Sequence, residues 1–120
     1  MQIGIVGLGR MGANIGRRLM QKGHTVVAYD RDPKAVAALT AAAGTASLKE
    51  MVEKLSSPRA IWIMLPAGKI TDDTVFALGA LLSAGDVVID GGNTFYKDDV
   101  RRAKELKKKN IAYEIGRAHV

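Results

Sequence analysis

A glycine-rich stretch near the N-terminus has the residue types and spacing of a phosphate-binding turn. Residues 7–12 read Gly-Leu-Gly-Arg-Met-Gly, between a short apolar run and a segment with helical periodicity. In this context Gly7 permits a tight turn, Gly9 lets the backbone approach a pyrophosphate, and Gly12 lets the helix pack closely on the strand. The start of the helix adds unpaired N–H groups and a positive dipole end. The pattern predicts a dinucleotide-binding turn made of Gly7, Leu8, Gly9, Arg10, Met11 and Gly12, against the alternative of a glycine-rich turn without a ligand.

A carboxylate stands at the end of the second predicted strand. Asp30 follows the run Thr25–Tyr29, 18 residues after Gly12. A carboxylate at this place accepts hydrogen bonds from the ribose hydroxyls of an adenosine and repels a 2′-phosphate, which favours NAD over NADP. Arg31 argues the other way, because an arginine can pair with that phosphate or stack on the adenine. The alternative for Asp30 is that it only begins a turn.

A third candidate loop follows the apolar run that contains Trp62. Leu65, Pro66 and Ala67 should lie beside the glycine-rich turn, where small residues can approach a cofactor. A plain turn between a strand and a helix explains these residues equally well. We expect Trp62 and Met64 to belong to the core rather than to the site.

A fourth candidate loop begins with two glycines and an asparagine after the run Val87–Ile89. Gly91 and Gly92 allow close approach of the backbone, and the Asn93 side chain offers both a donor and an acceptor. A neutral group of this kind can bridge the nicotinamide ribose and a bound substrate. An asparagine turn before a helix fits the spacing equally well.

Groups for acid–base or metal chemistry are scarce. Asp72 and Asp73 form a carboxylate pair, but they lie near a predicted helix start, where acidic side chains complement the helix dipole. We therefore predict no catalytic role for this pair. The two histidines, His24 and His119, are far apart, and we predict no metal site.

The net charge of +6 raises the question of a nucleic-acid partner. Residues 101–109 read RRAKELKKK and hold six basic groups and one acid. Helical spacing spreads these charges over a solvated face, with Ala103 and Leu106 as a short apolar stripe. No aromatic residue interleaves with them to stack on bases. We predict a solvated helix face and no nucleic-acid partner, with a patch for an anionic partner as the alternative.

The composition is that of an ordinary globular domain. The chain has 120 residues, of which 48% are apolar and 25% charged, and it has no cysteine. The lack of cysteine excludes disulfides and thiolate chemistry and fits a reducing compartment. We expect no membrane partner, because no apolar run is long enough to span a bilayer. A strand-like segment follows Met1 directly, so we expect no signal peptide and a cytoplasmic location.

The elements that must position these loops alternate between strand and helix. This alternation predicts an α/β fold, a doubly wound parallel sheet with helices on both faces. Ligands in such sheets bind beyond the carboxyl ends of the strands, so the four loops should meet in one crevice. The predicted strands are residues 2–7, 25–30, 45–47, 59–65, 86–90 and 111–115. The predicted helices are residues 10–22, 33–43, one beginning at Ser47 with Glu50 as its capping-box partner, 71–83 and 97–109.

Three blocks of the sequence resemble the N-terminal part of the 6-phosphogluconate dehydrogenases, most closely their shorter, often NAD-preferring form. The blocks are residues 1–33, residues 62–68 (WIMLPAG) and residues 90–106 (DGGNTFYKDDVRRAKEL). The first block is shared with the related β-hydroxyacid dehydrogenases, such as 3-hydroxyisobutyrate dehydrogenase. The last block separates the two groups, because those relatives usually have a serine- or threonine-rich segment where this chain has Gly91, Gly92 and Asn93.

The resemblance implies a function and a set of contacts. It implies oxidation of 6-phosphogluconate at C3 and decarboxylation to ribulose 5-phosphate, a step of the pentose phosphate pathway and of gluconate utilisation. NADP-using members have Asn-Arg-Thr in place of Asp30-Arg31-Asp32, which favours NAD, with NADP as the alternative. Asn93 would touch both cofactor and substrate. The implied cofactor contacts are Gly7–Gly12, Asp30, Arg31, Asp32, Leu65, Pro66, Ala67 and Asn93.

The resemblance also implies what lies beyond this chain. The family's catalytic lysine and glutamate, its serine-glycine-glycine substrate loop and the all-helical second domain that builds its homo-oligomer come after the matching segment. We expect an incomplete dinucleotide-binding domain over residues 1–113. Residues 114–120, EIGRAHV, match the in-frame translation of a common sequencing adapter, so we expect a non-native tail. The alternatives are a β-hydroxyacid dehydrogenase cofactor domain, a stand-alone nucleotide-binding module, or a short protein whose tail has its own role.

Overall fold

The secondary structure alternates between strands and helices along the whole described chain. The computed structural model describes residues 1–66, 68–92 and 96–115. The strands in that part are β1 (Gln2–Val6), β2 (Thr25–Tyr29), β3 (Ala43–Gly44), β4 (Ala60–Ile63), β5 (Val87–Asp90) and β6 (Ala112–Ile115). The helices are α1 (Arg10–Gln21), α2 (Pro33–Ala38), α3 (Leu48–Lys54), α4 (Lys69–Leu81) and α5 (Tyr96–Lys107).

The strands form one parallel sheet in the order β3-β2-β1-β4-β5-β6. The chain begins in the middle, builds outward from β1 to β3, and then crosses back to place β4 on the other side of β1. Connections after β1 and after β4 therefore lead away from each other, which opens a crevice between them at the carboxyl edge. This arrangement confirms the predicted doubly wound α/β fold.

Both faces of the sheet are covered, because side chains of each strand point alternately to the two sides. Val6 packs in the larger core under α3, α4 and α5, together with Leu78 and Leu106. Its neighbour Ile5 packs in a second core under α1 and α2, together with Leu39. Ile5, Leu78 and Val6 are at most 2% exposed, so the strands are anchored from both sides.

Local capping explains where two of the short helices begin. Asp32 caps α2 ahead of Pro33, as its sequence predicts. The hydroxyl of Ser47 accepts the N–H of Glu50 at 3.0 Å, and the Glu50 carboxylate accepts the N–H of Ala46 at 2.7 Å. Ser47 therefore caps α3 as predicted, but Glu50 reaches back to Ala46 and not to the N–H of Ser47 that a capping box uses.

The segment between α2 and α3 differs from the sequence prediction, which extended the helix to residue 43 and placed the edge strand at residues 45–47. The helix ends earlier because Leu39 is drawn into the core, at 2% exposure, and Ala41 adopts a left-handed φ of 72°. The strand therefore forms earlier as well. Thr45 lies beyond it and donates both its N–H and its hydroxyl to the carbonyl of Ala28, each at 2.9 Å.

Candidate functional site

The loops after β1, β4 and β5 line one groove at the carboxyl edge of the sheet. Its lining consists of residues 9–12 from the glycine-rich turn, residues 64–66 after β4, and Gly91 and Gly92 after β5. The structure thus brings three of the four predicted loops together, as the strand order requires. Met64 belongs to this lining, so the prediction that it is only a core residue is wrong.

The three glycines of the turn have different roles. A Cβ on Gly12 would overlap the carbonyl oxygen of Gly7, and a Cβ on Gly7 would overlap that of Met64. Gly7 also has a φ of 95°, which side chains disfavour. A Cβ on Gly9, by contrast, would meet no atom within 4 Å. Gly7 and Gly12 therefore permit close packing of the turn, whereas Gly9 faces open space where a ligand can approach.

The start of α1 can attract an anion. Gly9 caps the helix without a side-chain hydrogen bond, and the first turn contains no acidic residue. The first amides of an α-helix have no partner within the helix, and the dipole makes this end positive. The arrangement supplies what a pyrophosphate needs.

Asp30 holds the turn as well as standing beside it. Its Oδ2 atom accepts the N–H of Leu8 at 2.7 Å, and its Oδ1 atom accepts the N–H of Asp32 at 2.8 Å. The carboxylate therefore links the glycine-rich turn to the start of α2. Each carboxylate oxygen can accept a second hydrogen bond, so a ribose hydroxyl can still be bound. Asp30 can therefore hold the turn in place and bind a ribose at the same time.

A hollow next to Asp30 continues the groove on the side of β2. Arg31 is exposed and lines this hollow together with Tyr29. Its other walls are Val6, Gly7, Asp30, Leu48, Leu65, Ile70, Asp73 and Thr74. Apolar side chains flank a charged rim, which suits a flat base attached to a ribose. Leu48, Ile70 and Thr74 had no sequence signal, since only the fold brings α3 and α4 to this place.

The glycines after β5 are needed because the loop packs on its neighbours. A Cβ on Gly91 would overlap the indole nitrogen of Trp62, and a Cβ on Gly92 would lie 2.5 Å from the carbonyl oxygen of Leu65. Trp62 itself packs against the second core, as expected, and its indole N–H lies 2.9 Å from the Met64 sulfur. The loop therefore lies directly on the end of β4.

A buried polar cluster below this loop was not predicted. Asp90, at the end of β5, accepts the N–H of Gly92 at 2.9 Å and the hydroxyl of Tyr113 at 2.7 Å. Arg102 is fully buried, with its guanidinium 3.8 Å from Asp90 and 3.7 Å from Asp99. Burial raises the pKa of Tyr113, and its hydrogen bond to Asp90 raises it further, so the hydroxyl keeps its proton.

Arg102 corrects the prediction that residues 101–109 form only a solvated face. Its Nε atom donates to Asp72 at 2.7 Å, and Arg101 pairs with the same carboxylate at 2.8 Å. Burial opposes the ionisation of Asp72, but the two arginines outweigh it and hold the pKa of this carboxyl below its usual value. Asp72 therefore neutralises part of the positive charge of Arg101 and Arg102. Its neighbour Asp73 pairs with Lys69 at 2.9 Å. Arg102 turns inward because it lies one helical turn from buried Leu106.

The remaining site predictions lie at the edge of the described part. Ala67 and Asn93 are outside the described residues, so their contacts stay predictions. Residues 1–66, 68–92 and 96–115 contain no group of three His, Cys, Asp or Glu side chains placed to hold a metal ion. In the same ranges no helix has both the length and the apolar character needed to cross a bilayer.

An all-parallel sheet of this order, with a GxGxxG turn at the point where the order reverses, defines the doubly wound dinucleotide-binding domains. Residues 2–114 match the family model described as the NAD binding domain of 6-phosphogluconate dehydrogenase. The chain belongs to this family.

Individual relatives agree with this assignment. The NAD(+)-dependent, decarboxylating 6-phosphogluconate dehydrogenase of Haloferax volcanii is 42% identical over 106 residues, which are 87% of this chain and 36% of the relative. The Plasmodium falciparum 6-phosphogluconate dehydrogenase, solved with NADP+ and with 6-phosphogluconate, superposes with a TM-score of 0.86 at 28% identity. That match covers 94% of this chain and 26% of the Plasmodium chain. The chain therefore spans well under half the length of these relatives.

An enzyme with a different name has the same fold. The 3-hydroxyisobutyrate dehydrogenase of Mycobacterium tuberculosis superposes with a TM-score of 0.85 at 23% identity, over 94% of this chain and 39% of that one. This likeness concerns the fold alone.

Proposed function

We propose that this chain is the cofactor-binding part of an oxidoreductase that oxidises and decarboxylates 6-phosphogluconate to ribulose 5-phosphate. The observation that carries the proposal is the groove shared by the glycine-rich turn and the Gly91–Gly92 loop. The turn offers a pyrophosphate site, and Asn93 follows Gly92 of the loop directly in the sequence. Both motifs lie within residues 2–114, the range that the family model matches.

The residues of this chain bind and orient; they perform no chemical step. The amides at the start of α1 bind the pyrophosphate, and Gly9 leaves room for its oxygens. Asp30 would bind the adenosine ribose, and the hollow beside Asp30 would hold the base. Asn93 bridges the nicotinamide ribose and the sugar acid. The bound dinucleotide supplies the hydride acceptor.

We propose NAD as the preferred cofactor. Asp30 and Asp32 place two carboxylates beside the ribose position, where they repel a 2′-phosphate. Arg31 lies between them in sequence and lowers this discrimination, so NADP remains a weaker ligand. The NAD(+)-dependent Haloferax relative supports this order.

We propose further that residues 1–113 form the domain and that this chain alone does not turn over 6-phosphogluconate. Its match covers 36% of the Haloferax relative. The resemblance implies that the family's lysine, glutamate and helical domain come after the matching segment. The parent enzyme is then a cytoplasmic homo-oligomer held together by its helical domain. Residues 114–120 remain a proposed non-native tail, whose first two residues, Glu114 and Ile115, continue β6 beside β5.

Calorimetric titration of the chain with NAD, NADP and a DNA duplex tests these proposals. We expect binding of NAD, weaker binding of NADP, no binding of DNA, and no turnover when 6-phosphogluconate is added. Binding to DNA with a steep salt dependence, and to neither dinucleotide, would make the chain a nucleic-acid-binding protein instead. Measurable turnover would contradict the proposal that the catalytic residues are missing.

A further inference from the structure

We propose that Asp90, Tyr113 and Arg102, none of which lines the groove, position the Gly91–Gly92 loop so that it accepts the nicotinamide half of the cofactor. This inference rests on the proposed function, because it concerns how the same groove selects its ligand. We call these three side chains the loop-support cluster.

Asp90 is the link between the cluster and the loop. It is fully buried, and its two oxygens have different partners. Oδ1 accepts the N–H of Gly92 at 2.9 Å, and Oδ2 accepts the hydroxyl hydrogen bond of Tyr113 at 2.7 Å. A carboxylate held by a side chain on one oxygen presents the other in a fixed direction. The N–H of Gly92 is thereby held in place, and with it the peptide group between Gly91 and Gly92.

Tyr113 fixes this carboxylate from the neighbouring strand. Its hydroxyl on β6 lies 2.7 Å from Asp90 and 3.1 Å from Asp99 of α5. It therefore joins β6 and the end of β5 to the helix that follows the loop. Without the hydroxyl, Asp90 would lose the partner that sets its rotamer.

Arg102 supplies the charge that allows the cluster to be buried. Asp72, Asp90 and Asp99 surround its guanidinium at 2.7, 3.8 and 3.7 Å. Carboxylates buried without a cation would be strongly unfavourable, so the positive charge of the arginine offsets the cost of burying Asp90 beneath the loop. Its Nη1 atom has no hydrogen-bond partner among the described residues and acts on the acids through charge.

The loop can respond to the cluster because its other hydrogen bond among the described residues, from the N–H of Gly91 to the carbonyl of Ile63 at 2.8 Å, fixes only its first residue. Gly91 lies against the indole of Trp62, and Gly92 lies against the carbonyl of Leu65. These contacts set how near the loop comes to β4. The hydrogen bond from Gly92 to Asp90 sets how far it turns toward the groove.

The chain contains a matched control at the other end of the same strand. Asp86 precedes β5 and is 1% exposed, and it accepts hydrogen bonds from the N–H groups of Arg59 and Ser83 at 2.6 and 2.8 Å. Asp86 and Asp90 are thus two buried, hydrogen-bonded carboxylates that flank one strand. Only Asp90 lies at the edge that carries the groove.

The test compares Asp90→Asn and Tyr113→Phe with Asp86→Asn in the full chain. NADH binding is followed by energy transfer from Trp62, the single tryptophan, which lies beneath Gly91. ADP-ribose, which lacks the nicotinamide, is titrated by calorimetry. Because each substitution removes one hydrogen bond, we expect Asp90→Asn and Tyr113→Phe to bind NADH about tenfold more weakly than the wild type. Their affinity for ADP-ribose should change by less than about twofold. Asp86→Asn should change neither affinity by more than about twofold.

Exchange of the Gly92 amide, followed by NMR without any ligand, gives a second readout. We expect faster exchange in Asp90→Asn and Tyr113→Phe than in the wild type and Asp86→Asn. Unchanged NADH affinity, an equal loss for NADH and ADP-ribose, or unchanged Gly92 exchange would overturn the inference. A wild-type chain that binds neither ligand would refute the proposed function, while the Gly92 exchange would still decide whether the cluster holds the loop. If Asp90→Asn does not fold, the milder Tyr113→Phe decides by the same criteria.

Discussion

The Asp30 carboxylate accepts the backbone N–H of Leu8 at 2.7 Å, so the side chain expected to select the cofactor also holds the glycine-rich turn in place. Replacing it must therefore change two properties. Loss of the turn's support weakens every dinucleotide, whereas loss of the carboxylate beside the ribose changes the preference between them.

We predict that Asp30→Ala binds both NAD and NADP more weakly and lowers the ratio of NAD to NADP affinity about tenfold. Calorimetry with both cofactors measures the ratio, which removes the common effect on the turn. Glu53→Gln is the control for the lost negative charge, because Glu53 is exposed on α3 and lines neither the groove nor the hollow. If the ratio stays at its wild-type value in Asp30→Ala, Asp30 does not discriminate between the cofactors.

The glycine-rich turn allows packing and binding to be separated by two alanine substitutions. Gly12→Ala places a methyl group on the carbonyl of Gly7, so we expect it to lower the free energy of unfolding by roughly 1–3 kcal/mol. Gly9→Ala meets no atom within 4 Å and has an ordinary φ of −63°, so its thermal midpoint should stay close to that of the wild type. Its cofactor affinity should nevertheless fall about tenfold, because the methyl group occupies the approach of the pyrophosphate.

Thermal unfolding and calorimetry on both variants test this separation. A Gly9→Ala variant that binds the cofactor as tightly as the wild type would place the pyrophosphate elsewhere.

The turn, the caps and the strand order were predictable because their signals are local. The glycine spacing of residues 7–12 indicates a tight turn, and the pair Ser47 and Glu50 indicates the start of a helix. The alternation of strands and helices leaves only a few possible sheet topologies. The edge strand was misplaced for the opposite reason. Its position depends on Leu39 entering the core and on Thr45 binding Ala28, which are contacts between distant parts of the chain.

The loops that line the groove were predictable from the sequence, but the buried polar cluster beneath the Gly91–Gly92 loop was not. The motif around Gly91 and Gly92 indicated close backbone approach, and the structure places that approach against Trp62 and Leu65. The burial of Arg102 had no sequence signal, because a run of basic residues has the same sequence pattern whether or not one of its side chains faces the core. Only the arrival of Asp72 and Asp90 from other elements makes that position suitable for a buried cation.

Acid sensitivity should originate in part at Asp86. Burial opposes its ionisation, but the N–H groups of Arg59 and Ser83 and the Arg59 guanidinium outweigh this effect, so its pKa lies below the ordinary value. A depressed pKa means that the carboxylate stabilises the fold above an unfolded-state pKa of about 3.9 and that this contribution disappears as the pH falls through the folded-state pKa.

We predict that Asp86→Asn is less stable than the wild type at pH 7, by roughly 1–3 kcal/mol. Between about pH 5 and pH 2 the variant should lose less additional stability than the wild type, because it has one fewer depressed carboxyl to protonate. Denaturant unfolding at a series of pH values measures both effects. Parallel stability curves for the two proteins would show that Asp86 does not contribute to the acid response.

Two adjacent arginines that share one carboxylate provide the last prediction. Arg101 and Arg102 both bind Asp72, but Arg101 is exposed, with Phe76 5.7 Å from its guanidinium, whereas Arg102 is fully buried. Exposed pairs contribute little, so Arg101→Gln should leave the free energy of unfolding nearly unchanged. Arg102→Gln leaves Asp72, Asp90 and Asp99 without their buried cation and should lower it by roughly 3–5 kcal/mol. Both substitutions remove one positive charge, so the net charge of the chain changes equally. Denaturant unfolding at neutral pH makes the comparison, and equal effects of the two substitutions would mean that residues 101–109 are a solvated face throughout.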